Sequence, residues 1–251
     1  MTNAITILTA LSGQPMTKQI TAGGKKSPRM SKWFTAHCRS FNSIFDLCNI
    51  LCEIETDPFS FVIRGELIPG YNTSQPVRRL KYCDDGEGPF FRDVAARWVC
   101  FDFDRIERPD NIDAGSNPDV AISYLRNLLP SEFHNVTCCY QWSSGAGLGG
   151  WAQLRAHLWF MIDKDVTNDH LREWVYDYEL PVDPSLFNTV QPHFTARPIF
   201  SGVIDPIKIR TNILLGIYNV ANIEIKTNVD HDAAAMRRSA VWPGVAESVG
   251  T

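Results

Sequence analysis

Short apolar segments typical of strands alternate along the whole chain with segments of helical period, and this alternation constrains the possible folds most. Apolar segments bounded by turn residues predict strands at 5–8, 61–65, 98–104, 137–142, 157–162 and 213–218. Apolar residues spaced three and four apart predict helices at 43–54, 116–129 and 167–178. Loops are expected at 12–31 and at the glycine-rich 143–150. Since the elements are mixed without repeats or a clear linker, the simplest architecture is one α/β or α+β domain.

The composition is that of a globular protein, with 251 residues of which 44% are hydrophobic and 21% charged. No apolar run approaches the roughly 20 residues that cross a bilayer, and the first residues do not begin a signal peptide. The seven cysteines are odd in number and mostly lie in apolar segments, so reduced thiols and a cytoplasmic location are expected. Cys48 and Cys52 have the spacing of half a zinc site, but no second pair at ligand spacing follows them.

The charge is distributed unevenly along the chain. Residues 1–45 contain no acid and six basic residues, namely Lys18, Lys25, Lys26, Arg29, Lys32 and Arg39. Because the formal net charge of the whole chain is −4, the remainder carries −10. A basic segment on an acidic body can attract a polyanion, and a solvated loop around 23–26 explains it equally well. We therefore divide the chain into a basic segment at 1–45 packed on the core, a main domain at 46–240, and a tail or cut end of a longer chain at 241–251.

Two carboxylates stand at alternate positions of the predicted strand at 98–104. Asp102 and Asp104 share one face of that strand, while Phe101 and Phe103 share the other. Two neighbouring carboxylates repel each other unless a positive group lies between them, and Mg²⁺ or Mn²⁺ is the usual one. A strand that ends in a solvated acidic turn, with Arg105 close by, explains the pattern as well.

A third carboxylate, Asp183, lies in an otherwise apolar segment before Pro184. It could complete a three-carboxylate site for two metal ions, which would hold the attacking and leaving oxygens of a phosphoryl transfer. The ordinary alternative is that Asp183 caps the turn that follows it.

Phosphate-binding candidates lie between these acids along the chain. Arg155 and His157 share a face of the predicted strand at 157–162, and both side chains can donate hydrogen bonds to phosphate. Ser143 and Ser144 begin the glycine-rich loop, whose backbone can approach a phosphate closely. Arg197 follows further along the chain. A structural histidine and a surface arginine are the ordinary alternatives for His157 and Arg197.

The order of these motifs resembles the archaeo-eukaryotic primase superfamily, in particular the primase-polymerases of plasmids, phages and integrated mobile elements. The shared series is an Asp-x-Asp strand, a Ser/Gly stretch leading to x-x-His, an Asp in an apolar segment and an Arg-Pro. The resemblance covers roughly residues 60–218. It departs from the family at Arg155, which stands where the Ser-x-His motif has serine, so the roles of Ser143 and Ser144 are open.

The resemblance implies an α+β catalytic core in which an RNA-recognition-like βαββ unit packs against a second small α/β unit. It implies a primase and DNA polymerase that joins nucleoside triphosphates on a single-stranded DNA template. Asp102, Asp104 and Asp183 would hold two Mg²⁺ or Mn²⁺ ions, and His157 with Arg155, Ser143, Ser144 and Arg197 would bind the nucleotide. A helicase or a priming module of the same mobile element is the further partner expected, and no membrane is.

Four basic residues that precede the Asp-x-Asp strand are candidates for contacts with template phosphates, namely Arg64, Arg78, Arg79 and Lys81. Three alternative functions share parts of the pattern. A glycosyltransferase uses Asp-x-Asp to bind Mn²⁺ and a nucleotide sugar, and a phosphatase with a nucleophilic Asp has Phe-Asp-x-Asp near the start of its chain. A DNA-binding replication module with a degenerate primase fold would bind DNA without catalysis.

Overall fold

A computed structural model describes residues 3–225 of the chain. The predicted tail at 241–251 and the end of the domain predicted at 46–240 therefore lie outside the described residues. Within residues 3–225 the fold is α+β, with few helices and several mostly antiparallel sheets. No helix in this part of the chain has the length and apolar character needed to span a membrane.

The described residues form three α-helices and twelve strands. The helices are α1 (Ile44–Glu55), α2 (Pro118–Arg126) and α3 (Asn168–Asp177). The strands are β1 (Asn3–Ala10), β2 (Gln19–Thr21), β3 (Gly24–Lys26), β4 (Phe34–Phe41), β5 (Ser60–Ile63), β6 (Glu66–Leu67), β7 (Phe91–Arg92), β8 (Ala96–Glu107), β9 (Cys138–Trp142), β10 (Gln153–Val166), β11 (Ile199–Ser201) and β12 (Thr211–Leu214). Short 3₁₀ turns lie at Ser131–Phe133 and Pro184–Leu186.

All six predicted strands and all three predicted helices are found, with their ends shifted by a few residues. The loop predicted at 12–31 is wrong, because it contains the hairpin β2–β3. This hairpin is stabilised by a parallel pairing of β2 with β11, which lies about 180 residues further along the chain. The strand β4 was not predicted from the sequence.

The largest sheet is antiparallel and has the order β12-β9-β10-β8. Its chain order is β8, α2, β9, β10, so that α2 carries the chain between two strands that both pair with β10. The helices α2 and α3 pack on one face of this sheet, through buried residues such as Leu125 and Trp174. The helix α1 covers part of the opposite face, where it contacts β9, β10 and β12.

A second sheet, with the order β4-β1-β5, joins the basic N-terminal segment to the rest of the fold. The strand β1 is its central strand and pairs antiparallel with both neighbours. Ile5 and Ile7 face the core shared with α1 and β8, while Leu8 and Phe61 face a separate core on the other side. Residues 3–45 are therefore part of the folded core and not an appended arm.

The helix α1 begins at a complete capping box. Ser43 Oγ accepts a hydrogen bond from the Asp46 backbone N–H at 3.1 Å, and Asp46 Oδ2 accepts one from the Ser43 N–H at 3.0 Å. The hydrogen bonds with the Asn42 backbone N–H and with Ser43 lower the pKa of the Asp46 carboxyl. They satisfy backbone donors that the first turn of a helix leaves without partners.

Replacing the capping serine tests this local account. Ser43→Ala is expected to lower the free energy of unfolding by about 1 kcal/mol, the usual cost of losing an N-cap. Urea denaturation measures the change, and Ser40→Ala on the exposed side of β4 is the control, with an expected change below about 0.5 kcal/mol. Equal effects of the two substitutions would contradict the assignment of Ser43 as the cap.

Candidate functional site

The face of the large sheet that α1 covers changes from apolar to polar at one row of residues. The row of cross-strand neighbours from β8 to β12 beneath α1 is Cys100, Trp159, Cys139 and Ile213. The next row along the same face is Asp102, His157, Gln141 and Thr211. Because α1 ends at Glu55, which lies at this boundary, the polar row is not covered by the helix and forms the floor of a cleft.

A β-bulge positions the second acid and the arginine. Leu154 pairs with Ile106 and Ala156 with Phe103, so Arg155 alone lies opposite Asp104 and Arg105. Arg105 has a φ of 62°, a left-handed conformation that is uncommon for a residue with a side chain. Bulges commonly redirect side chains beside functional sites. Here the bulge brings Arg155 Nη1 within 2.5 Å of Asp104 Oδ1.

The cleft has a volume of about 300 Å³ and contains every acid and nucleotide-binding residue predicted from the sequence. Those residues are Asp102, Asp104, Asp183, Ser143, Ser144, Arg155, His157 and Arg197. They come from β8, from β10, from the loop after β9 and from the segment between α3 and β11. The fold therefore brings together residues that are almost one hundred positions apart along the chain.

Asp183 is attached to the acidic strand through the backbone. Its N–H donates to the carbonyl of Asp102 at 2.9 Å. Its carboxylate accepts hydrogen bonds from the backbone N–H and the hydroxyl of Ser185, both at 2.8 Å. Asp183 is thus the cap of the turn at Pro184–Leu186 and also lines the cleft, so its interpretation as a turn cap is confirmed and its role as a metal ligand stays a prediction.

Each of the three carboxylates has a partner within the protein. Asp104 is bound by Arg155 and lies 3.5 Å from Arg105 Nε, and Asp102 Oδ1 lies 3.4 Å from His157 Nε2. Among residues 3–225, no three His, Cys, Asp or Glu side chains are grouped so that they could hold a metal ion. The oxygen donors suit Mg²⁺ or Mn²⁺, but their arrangement does not fit a preformed site for two ions.

The cleft is lined by more cations than carboxylates, although the protein as a whole is acidic. Its cationic side chains are Lys18, Lys25, Arg105, Arg155, Arg197 and Arg210, and its carboxylates are Glu55, Asp102, Asp104 and Asp183. Burial lowers the pKa of Lys25, and the charges of Lys18 and Arg155 lower it further. Like charges held this close favour an anionic ligand, which would relieve their repulsion.

The glycine loop allows two of these cations to approach each other. A Cβ atom at Gly145 would lie 3.1 Å from Lys25 Nζ and 3.3 Å from Arg155 Cδ. The absence of a side chain at position 145 therefore leaves the space that both cations occupy. The backbone N–H of Ser143 donates to the carbonyl of Arg155 at 3.0 Å, which fixes the loop to β10.

Arg197 is held at the mouth of the cleft by the end of α1. Its Nη2 lies 2.9 Å from Glu55 Oε1, and its backbone N–H donates to the Glu55 carbonyl at 2.9 Å. This double contact ties the segment before β11 to the helix. Arg197 is therefore a positioned cation and not a free surface arginine.

Several cleft residues were not assigned to a site from the sequence. Lys18 and Lys25 belong to the basic segment at 1–45, for which attraction of a polyanion and a solvated loop were equally good interpretations of the sequence. No sequence pattern marks Gln141, Arg210 or Phe194 as site residues, because a single polar or aromatic residue does not show where its strand or loop will lie. Phe194 is 36% exposed and packs against Phe61, so its ring forms part of the cleft wall.

The structure corrects the assignment of Arg64 to the template. Arg64 is buried and its Nη2 donates to three carbonyls, those of Ala96, Trp98 and Val166, at 2.6–3.2 Å. Burial lowers the pKa of its guanidinium to about 10. The side chain holds β8 to the end of β10 and is not available to a nucleic acid.

The other three proposed template residues differ in their accessibility. Arg79 donates to the Val190 carbonyl at 2.6 Å, and burial lowers its pKa, so it has a structural role as well. Arg78 is paired with Asp84 and Glu87. Lys81 lies over the ring of the exposed Tyr82 and borders a separate surface cavity, so its contact with a template stays a prediction.

The structural role of Arg64 gives a direct test. Arg64→Met would remove the hydrogen bonds to three carbonyls, two of them fully buried contacts, so the free energy of unfolding is expected to fall by more than about 2 kcal/mol. The control is Arg92→Met, which removes an exposed ion pair with Glu66 and should cost less than about 1 kcal/mol. Denaturant unfolding measures both changes. If Arg64→Met were as stable as wild type, the structural role of Arg64 would be refuted.

A second histidine is buried behind His157. His193 packs beside the rings of Trp98 and Trp159, with centroid distances of 6.3 and 5.3 Å, and neither of its ring nitrogens has a hydrogen-bond partner. Burial lowers the pKa of His193 well below its usual value, and the charges of His157 and Arg64 act in the same direction. His193 is therefore neutral in the folded protein.

This burial predicts a loss of stability in acid. Below a pH of about 6.5 the unfolded chain binds a proton at residue 193 that the folded protein does not bind, so stability falls as the pH falls. Between pH 7 and 5, wild type is expected to lose about 2 kcal/mol more than His193→Phe. Urea denaturation at several pH values measures the slopes, and the exposed His37→Phe serves as control. Identical slopes for wild type and His193→Phe would contradict the prediction.

No family model, no curated protein and no solved structure matches this chain. The function of the cleft must therefore be inferred from its own geometry.

Proposed function

We propose that this protein is a nucleotidyltransferase of the primase-polymerase type, which joins nucleoside triphosphates on a single-stranded DNA template. The observation that carries the proposal is the convergence of Asp102, Asp104, Asp183 and His157 in one cationic cleft. These residues come from three separate segments, namely β8, β10 and the segment after α3, and the order of their motifs along the chain is the order that resembles the primase family.

The topology of the large sheet supports the same proposal. The chain order β8, α2, β9, β10 is a βαββ unit, and its strands lie in the order β9-β10-β8. In such a unit the first and third strands are adjacent, and their paired positions face each other. The acids of β8 and the phosphate-binding candidates of β10 lie on these adjacent strands, and a βαββ unit is one of the two units that the resemblance implies.

The cations of the cleft have the task of binding and orienting a triphosphate. Arg155 offers a planar set of donors that suits phosphate oxygens, and Lys18 and Lys25 add charge on the same side. His157, whose side chain is 9% exposed, offers Nε2 toward Asp102 from the floor of the cleft. Holding the reacting phosphate in line with the attacking hydroxyl supplies much of the rate acceleration in phosphoryl transfer.

Dependence on Mg²⁺ or Mn²⁺ is part of the proposal, because Asp102 and Asp183 place hard oxygen donors beside the phosphate-binding cations. When bound, such an ion stabilises negative charge on the transferred phosphate. The two aspartates are joined by the hydrogen bond between their backbones, so they act as one rigid pair.

The test is DNA synthesis by the purified full chain. The protein is incubated with single-stranded DNA, labelled ribo- or deoxynucleotides and Mg²⁺ or Mn²⁺, with and without an annealed primer. We expect template-dependent products that disappear in the presence of a chelator. The unprimed reaction shows whether the protein starts chains as well as extending them, and the absence of product in every reaction would overturn the proposal.

The site assignment predicts that Asp102→Asn combined with Asp104→Asn abolishes synthesis and leaves the fold intact, since the two amides keep the shape of the carboxylates and lose their charge. Circular dichroism and thermal unfolding verify the fold, and a denaturing gel measures the product. The control is the double variant Asp85→Asn, Asp110→Asn, which neutralises two exposed carboxylates outside the cleft. Unchanged synthesis by the cleft variant would remove these acids from the site.

A further reaction separates the proposal from its main enzymatic alternative. A glycosyltransferase with the same Asp-x-Asp strand would release a free nucleoside diphosphate from a nucleotide sugar. Release of nucleoside diphosphate, together with no incorporation into DNA, would favour that function over polymerisation.

A further inference from the structure

Arg155 is the one cleft cation bonded directly to a predicted metal-binding acid by a short charged contact among the described residues. Its Nη1 lies 2.5 Å from Asp104 Oδ1 and its Nη2 donates to Gln153 Oε1 at 2.7 Å. The Arg155 side chain is 20% exposed, against 48% for Asp104, so the arginine forms the inner half of the pair. Both are accessible from the cleft.

The pair makes Asp104 a weaker metal ligand in the ligand-free protein, because Arg155 occupies its Oδ1. A carboxylate oxygen that accepts a charge-assisted hydrogen bond has its negative charge largely compensated. A divalent cation at Asp104 would also be repelled by the guanidinium a few ångströms away. Asp102 is not blocked in this way, since its contact is with His157 at 3.4 Å.

A polyphosphate anion can break this pair. It carries several negative charges, against one on Asp104, and it offers oxygens in the geometry that a guanidinium binds bidentately. Lys25 lies beside Arg155 at Gly145, so an anion that reaches Arg155 gains a second cation at once. Asp104 also interacts with Lys25, whose pKa its charge raises, and with Arg105, which is 72% exposed and 3.5 Å away. A single carboxylate, however, offers these cations less negative charge and fewer oxygens than a polyphosphate does.

We propose that Arg155 exchanges partners: it holds Asp104 in the ligand-free protein and moves to the phosphates when a triphosphate enters, which releases Asp104 to bind a divalent cation. The inference rests on the proposed function, because it assigns a triphosphate and a metal ion to this cleft. The exchange of partners explains why Arg155 can stand at the position where the Ser-x-His motif has serine. The triphosphate itself then completes the cation site, so a metal ion is bound firmly only together with substrate.

Two binding measurements, each with a single ligand, test the exchange without reference to catalysis. Binding of Mn²⁺ alone is followed by electron paramagnetic resonance, and binding of inorganic tripolyphosphate alone is followed by calorimetry in the presence of a chelator. Arg155→Ser is expected to bind Mn²⁺ about tenfold more tightly than wild type and tripolyphosphate about tenfold more weakly. Tenfold corresponds to about 1.4 kcal/mol. Arg155→Gln is measured in parallel, so that a folding defect in one variant does not decide the outcome.

Two controls show that the effect belongs to the pair. Arg105→Ser removes one positive charge beside the same carboxylate, but from an exposed and longer contact, and should change Mn²⁺ affinity less than threefold. Adding Asp104→Asn to Arg155→Ser should abolish the gain in Mn²⁺ affinity, because the released ligand is then missing.

Unchanged Mn²⁺ affinity in both Arg155 variants would overturn the exchange, and so would an equal gain in Arg105→Ser. Neither result contradicts the proposed function, which is tested separately by DNA synthesis with the wild-type protein. Conversely, the exchange can be confirmed by these binding data even if the product of the reaction is something other than DNA.

Discussion

The antiparallel pairing of β8 with β10 is the contact on which the cleft depends. Its register places Asp102 opposite His157, and its bulge places Asp104 and Arg105 opposite Arg155. A shift of one residue would turn all these side chains to the other face of the sheet, where α2 and α3 pack. The register is fixed by the large apolar side chains next to the polar row, since Trp98 and Trp159 stack in the core beneath α1.

The position of the cleft follows from the length of one helix. The helix α1 ends at Glu55, and the polar row begins where its cover stops. The same residue then holds Arg197 through its side chain and its carbonyl. The end of α1 thus both exposes the floor of the cleft and fixes one of its walls.

The sequence predicts the fold well where local patterns are strong and poorly where pairing is distant. The helix α1 is predicted by its apolar spacing, and β8 by its apolar run. The hairpin β2–β3 could not be predicted, because β2 pairs with β11 from the far end of the chain. The cleft acids were found through motif order, whereas Arg64 was assigned to the template, since a sequence does not show that an arginine points inward to three carbonyls.

The walls of the cleft come from both ends of the described chain. Lys18 and Lys25 lie on or beside the hairpin β2–β3, and β11 pairs with that hairpin near Arg197. Contacts of such large sequence separation require the closure of a long loop. This closure costs conformational entropy before the contacts can stabilise the fold. During synthesis on the ribosome the acids of β8 therefore emerge well before their cationic partners from residues 155–210 exist. The cleft is complete only once the chain has been made through Arg210, so a nascent fragment that ends before this residue lacks part of the cleft lining.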